Sequence, residues 1–399
     1  MPKPGPLLLF LAFFAFISLG LPDTVFGVAW PSLRSEFGIS QSAMGLLLAA
    51  GVTGYFLSGL LAGVLMRRLG VGGLLTISSG LVALSLAGYA LAPSIATFLP
   101  FSVTLGLGSG AIDSGLNGYA ARHFSVRQVN WLHACWGVGA SLGPVIMTAA
   151  LARTAGHHAG YGALGLILAA MALAFLFTRR AWDASSASPP SAEASAPSAE
   201  PGFGAALRDG RVRLHLLTFF VYVGLEATLG QWCFSVLRER RGLSIEAAGA
   251  WTAAFWASLT VGRIVFGSVV DRVGPDRLLR AVSLSTLAGT LAFVISEGLF
   301  GQLGLLVAGM SLAPVFPTLM ARTPARLGSG LARHAIGFQI SAGVLGACSL
   351  PALTGVFVAA RGLGAALAVM LVSSLAFLIV HELLLRTGAS SVPLSASAG

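Results

Sequence analysis

The sequence predicts an all-α membrane protein: twelve transmembrane helices in two pseudo-symmetric six-helix halves. Three observations predict it. Of the 399 residues, 56% are hydrophobic and 10% are charged, where a soluble domain carries about 25% charged residues. Twelve apolar runs follow one another along the chain, most of them near the ~20 residues a helix needs to cross a bilayer. A short glycine- and arginine-containing motif recurs at the matching point of each half, 204 residues apart.

The runs fall at 7–30, 42–66, 71–92, 95–120, 130–152 and 159–178, then 214–237, 246–270, 278–297, 299–320, 334–359 and 362–385. The first follows Lys3 as a signal peptide would. It also carries Asp23 and exceeds the ~7–15-residue core of a signal peptide, so it is read as a membrane span. An even number of spans puts both termini on one side. Seventeen basic residues lie on that side, six on the other, and Arg263 lies inside a run. The excess predicts cytoplasmic termini in the inner membrane.

Between the sixth and seventh runs, residues 183–201 are rich in Ser, Ala and Pro and hold too little apolar surface to fold. The predicted organisation is therefore an N-terminal half (1–182), a cytoplasmic linker (183–212) and a C-terminal half (213–399).

The recurring motif is GVLMRRLG from Gly63 to Gly70 and GSVVDRVG from Gly267 to Gly274. Each copy follows the second run of its half. Parallel six-helix repeats are one known transporter plan, with the binding site between halves near the midplane. The second copy, with Gly267, Asp271, Arg272 and Gly274, resembles the G-x-x-x-D-R-x-G signature of the major facilitator superfamily. The first keeps Gly63, Arg68 and Gly70 but carries Arg67 where the family has an acid.

A narrower resemblance is to the fucose–proton symporter family. It rests on Asp23 in the first run and on Asp113, Asn117 and Tyr119 in the fourth. His133, Gly137, Gly139, Gly143 and Pro144 in the fifth run and Phe316-Pro317-Thr318 in the tenth add to it. The resemblance implies that the two acids serve substrate binding and proton coupling. Members carry Glu where this chain has Asp113, so sugar identity does not transfer.

The residues point the same way. An acid inside a membrane span is costly and faces a cavity or a partner. Asp113, Asp23 and Glu226 are the three candidates for proton coupling; the alternative for each is a structural partner of a buried donor. Asp23 and Asp113 lie about five residues to opposite sides of their span midpoints, roughly 15 Å apart in depth at ~1.5 Å per residue. The 204-residue offset carries Asp23 to within one residue of Glu226. Asn117 lies one turn after Asp113 on the same face, and His133 is expected level with Asn117 on the next helix. That pair either orients substrate hydroxyls or holds two helices together. Gln231, Trp232 and Gln339 are expected substrate contacts, with Trp136, Trp256 and Phe338 as further liners, because amides suit sugar hydroxyls and rings suit sugar faces. Arg263 is expected to latch onto Asp271.

Other classes fit less well. The net charge of +10 is spread over the ends of runs, with no basic stripe for nucleic acid. Cys135, Cys233 and Cys348 lie in apolar runs and suggest neither a disulfide framework nor a metal site. Gly139-Ala140-Ser141-Leu142-Gly143 matches the hydrolase elbow pattern but lacks its strand–turn–helix setting. No nucleophile–base pair and no metal-ligand spacing is visible, so neither an enzyme nor a cofactor is expected. The expected partners are the bilayer, a small polar solute and a coupling ion read as H⁺, with the chain acting as a monomer.

Overall fold

The structure is a computed structural model, and it describes residues 5–153, 156–185 and 203–388. The predicted stretch 183–201 thus falls largely outside the described residues. The chain runs α1 (Pro6–Asp23), α2 (Phe26–Phe37), α3 (Ala43–Leu91), α4 (Ile95–His123), α5 (Val126–Ala152), α6 (Gly156–Ser185) and the short α7 (Phe203–Arg208). It continues with α8 (Gly210–Ser235), a π-helical turn (Val236–Arg240), α9 (Ile245–Val273), α10 (Pro275–Ile295), α11 (Leu299–Leu312), α12 (Val315–Leu327), α13 (Ser329–Arg361) and α14 (Gly364–Gly388). No strand occurs among the described residues.

Among the described residues, eleven stretches are long and apolar enough to span a membrane. One of them, Ala43–Leu91, turns at Gly70, whose φ is 71°. It holds two spans, which brings the total to the predicted twelve. A side chain disfavours that left-handed conformation, and Gly274 (φ 89°) turns the chain at the equivalent point of the second half. Large side chains such as Leu60, Leu166 and Phe177 are 75–83% exposed, as expected of helix faces turned to lipid rather than water.

Two spans are broken. Pro22 lies in the last turn of α1, and the chain restarts at Phe26. Thr24 Oγ1 at the break donates to Ala140 O at 2.7 Å. The tenth span breaks between α11 and α12 at Ala313–Pro314. A proline offers no backbone N–H and crowds the preceding turn, which favours such breaks. Hydroxyl caps start α4 and α5: Ser94 accepts from Thr97 N, and Ser125 accepts from Gln128 N. A cap of this kind is worth about 1 kcal/mol.

The chain forms two compact units. Of the described residues, the first comprises 5–153, 156–185, 228–260 and 348–367. In it, α3 packs on α4 and α6, and α1 packs on α5. The close approaches run through glycine: Gly106 of α4 lies against the Gly51 carbonyl, and Gly139 of α5 against the Ile17 carbonyl. Segments of α8, α9 and α13 join this unit. In it Gly27 meets the backbone of Gln231, Gly45 meets Ala352, Gly249 meets Thr148, and Gly137 meets Thr260. Arg34 Nη2 and Glu239 Oε2 form an ion pair at 3.2 Å.

Of the described residues, the second unit comprises 203–227, 261–347 and 368–388. Arg322 and Arg326 of α12 hold Asp276 of α10 at 3.0 and 2.8 Å. Arg280 of α10 makes a two-pronged pair with Glu382 of α14 at 2.7 and 3.0 Å.

Candidate transport site

Within the first unit, four helices bring polar groups together. Asp113 and Asn117 come from α4, Tyr55 from α3, Asp23 from α1, and His133 and Trp136 from α5. The approach of α4 to α3 is set by Gly110, where an added Cβ would lie 2.7 Å from the Tyr55 carbonyl oxygen. That small residue lets Tyr55 Oη reach across and donate to Asp113 Oδ2 at 2.7 Å. One turn on, Asn117 Nδ2 donates to Asp113 Oδ1 at 2.8 Å. Each carboxylate oxygen therefore has one neutral donor.

Asp113, Asn117 and Tyr55 are half-buried, and Asp23 is exposed. Trp136 Nε1 donates to Asp23 Oδ2 at 2.9 Å, and its ring stands edge-on to Trp256 with centroids 6.4 Å apart. His133 stands edge-on to Phe16 at 5.4 Å and acts electrostatically on Asp113. Asp23 and Asp113 also act on each other. Tyr55, bonded to Asp113, also lies within electrostatic reach of Asp23.

This arrangement has a definite acid–base capability. An ionised carboxylate only accepts, whereas a carboxylic acid donates one hydrogen bond. Asn117 can donate to Oδ1 in either state. The Tyr55 hydroxyl donates when Asp113 is charged and accepts when it is protonated, with a rotation that frees its hydrogen for another acceptor. Gain or loss of a proton at Oδ2 thus re-aims the hydroxyl without leaving the carboxyl group unpartnered.

The second unit holds its own acid. Tyr222 Oη donates to Glu226 Oε2 at 2.8 Å, one turn apart on α8. Arg263 of α9 lies within electrostatic reach of both residues, in addition to its sequence proximity to Asp271. Gln339 is fully buried in a different cluster: its Nε2 meets His215 Nδ1 at 2.9 Å and Thr323 Oγ1 at 3.0 Å. Trp232 is also fully buried, and its Nε1 donates to Pro351 O at 3.1 Å. Gln231 is nearly buried, and its Oε1 has no hydrogen-bond partner.

A family model described as Major Facilitator Superfamily matches residues 8–351. The chain belongs to the major facilitator superfamily. Among curated relatives, the gallate transporter of Pseudomonas putida is 28% identical over 339 residues, covering 77% of this chain and 74% of that protein. Among solved structures, the nucleoside transporter NupG superposes with a TM-score of 0.76 at 12% identity, covering 97% of this chain and all of that one. A single-residue variant of the Escherichia coli fucose:proton symporter FucP superposes with a TM-score of 0.61 at 18% identity, covering 95% of this chain and 98% of that one. At such identities the structural likeness establishes the fold.

In this major facilitator chain, the first motif copy lacks an acid at Arg67, and α6 brings one close by. Gly72 N, just past the Gly70 turn, donates to Asp183 Oδ1 at 3.0 Å. Arg179 Nη2 donates to Leu69 O at 3.4 Å. Gly63 and Arg68 are exposed, as are Gly267, Asp271 and Arg272 of the second copy. Near that copy the acid engaged is Asp276, two residues beyond Gly274. In both halves the end of the sixth span grips the start of the third: Asp183 to Gly72, and Glu382 to Arg280.

Sequence reasoning missed Tyr55, whose partner is 58 residues away. Glu36, His157 and His158 also come together, with their ligating atoms within 4.8 Å of one another, and no spacing in the sequence links them.

Proposed function

We propose that the chain is a secondary active transporter that moves a small polyhydroxylated solute, first of all a sugar, by proton-coupled alternating access. The observation carrying this reading is the Tyr55–Asp113–Asn117 arrangement. A titratable acid in a membrane span holds two donors, one of which can turn when the acid changes charge. Asp113 is the principal proton carrier, with Asp23 coupled to it electrostatically. Asn117 and His133 supply hydrogen bonds to solute hydroxyls, and Trp136 supplies a ring face. Glu226, paired to Tyr222, is a second coupling acid. Gln231, with an unpartnered amide oxygen, remains a solute contact in this reading, whereas Trp232 and Gln339 spend their polar atoms on protein partners and act by holding helices.

Both termini are cytoplasmic, and the halves 1–182 and 213–399 are the repeating modules joined by residues 183–212. A second reading, a hydroxylated aromatic acid as solute, is favoured by the gallate transporter relative and by the edge-on Trp136–Trp256 pair. Uptake by proteoliposomes tests both. Labelled monosaccharides and gallate are offered separately under an imposed pH gradient and an imposed sodium gradient. Concentrative sugar uptake driven by the pH gradient alone supports the first reading. Gallate uptake without sugar uptake supports the second. Outward-directed, proton-driven flux of amphipathic dyes would mark an exporter, and binding without flux would mark a non-transporting solute sensor or scaffold.

A further inference from the structure

We propose that Glu36, His157 and His158 form a divalent-metal site of the zinc type that ties the end of α2 to the start of α6. These residues belong to neither of the acid clusters above.

The two imidazoles are presented as metal ligands usually are. A ligating histidine directs one nitrogen at the ion and commits the other to a neighbouring polar group. His158 Nδ1 lies 2.8 Å from Ala90 O. A carbonyl only accepts, so Nδ1 carries the hydrogen, and Nε2 of the neutral ring is a bare lone pair. That lone pair faces a carboxylate: His158 Nε2 lies 3.0 Å from Glu36 Oε1 and 3.1 Å from Oε2. Two acceptors at that distance repel unless a cation joins them. His157 Nδ1 is engaged by Ser32 Oγ at 2.9 Å. Its Nε2 is buried without a hydrogen-bond partner and lies 3.7 Å from Glu36 Oε2. The ring itself is fully buried, so this is a polar atom aimed into the cluster.

The spacing fits a small ion. Zinc bonds to histidine nitrogen and carboxylate oxygen at about 2.0–2.2 Å in tetrahedral geometry, which places ligand atoms about 3.4 Å from one another. With Glu36 Oε2 as the donor, the two imidazole nitrogens lie 3.1 and 3.7 Å from it, either side of that value, and all three donor atoms lie within 4.8 Å of one another. Two histidines and one glutamate are an established zinc donor set that leaves a fourth position for water. Glu36 and His158 side chains are each 42% exposed, which gives the ion a path in from the aqueous side. Nitrogen donors select zinc and its neighbours over magnesium or calcium.

The competing account is a protonated His158 paired with Glu36, and it predicts no metal affinity. The test uses the full-length, tag-free protein in detergent, titrated calorimetrically with zinc chloride and, separately, with magnesium chloride. Metal content is measured after dialysis, and Tm with and without a chelator. The variants are Glu36→Gln and His158→Asn, both at half-exposed positions, checked by circular dichroism and gel filtration. The expected result is one zinc per chain and a Tm raised by zinc and lowered again by chelator. Each folded variant should lose at least about tenfold in zinc affinity, with magnesium without effect. Absence of zinc binding to the wild type, unchanged affinity in both variants, or equal binding of magnesium overturns the proposal.

Discussion

The Tyr55 hydroxyl donates to Asp113 Oδ2 at 2.7 Å across the contact between α3 and α4. This bond joins the acid to a group that can reverse its role, and it gives the site its first prediction. Tyr55→Phe keeps the ring and removes the switch. A hydrogen bond to a charged group is worth about 1.5–3 kcal/mol, so the midpoint of the pH–uptake profile should move by about one to two units. Uptake measured across pH in proteoliposomes checks this. An unmoved profile would leave the hydroxyl without a part in coupling.

Gly110 and Gly118 lie two turns apart on α4 and should respond oppositely to a methyl group. At Gly110 the new Cβ would meet the Tyr55 carbonyl oxygen at 2.7 Å, and at Gly118 its nearest neighbour is Met66 Cε at 3.7 Å. Gly110→Ala should cost about 1–3 kcal/mol of stability through forced separation of α3 and α4. Gly118→Ala should be neutral or slightly stabilising, since alanine is the better helix former. Thermal unfolding in detergent distinguishes the two.

Much of this architecture was legible in the sequence, and the reasons differ by residue. The spans were legible because each must cover its own backbone with apolar side chains, a local requirement. The Asp113–Asn117 bond was legible because a four-residue spacing stacks two side chains on one helix face. Gly70 and Gly274 were legible as a repeat because both turns need the same left-handed residue. Tyr55 was not, since a tyrosine in an apolar run looks like packing until its distant partner is known. Gln339 illustrates the converse. An amide in a membrane span announces that it has a partner but not whether the partner is solute or protein, and here His215 and Thr323 fill that place. Glu36, His157 and His158 escaped notice because a cluster assembled from positions more than a hundred residues apart has no spacing signature.

The Arg34–Glu239 pair joins the end of α2 to the π-helical turn after α8. Both side chains are partly exposed, so the pair is worth about 0–1 kcal/mol. Either Arg34→Ala or Glu239→Ala should raise the labelling rate of a cysteine placed at Ala352, which packs on Gly45 nearby, by no more than about fivefold. The charge swap Arg34→Glu with Glu239→Arg should restore the original rate. Failure of the swap to restore it would remove the ion pair as the cause.

The arginine excess predicts cytoplasmic termini. Single cysteines replacing Ser188 and Ser391, in a background with Cys135, Cys233 and Cys348 changed to alanine, should resist an impermeant thiol reagent in intact cells. They should react once the membrane is opened. Labelling of both in intact cells would invert the orientation.

The most direct measurement concerns Asp113→Asn. The amide keeps the size of the side chain and fixes it in an uncharged form, equivalent to the proton-loaded state. Solute affinity should survive within about tenfold, less than the penalty for breaking a buried charged network. The pH dependence of affinity and all proton-driven accumulation should be lost, while exchange of labelled for unlabelled solute persists. Asp113→Glu should retain partial accumulation, and Asn117→Ala should weaken affinity yet leave residual transport pH-dependent. Affinity and accumulation measured across pH for these variants decide the matter. Full pH-dependent accumulation by Asp113→Asn would contradict the account, because the acid would then be a structural residue.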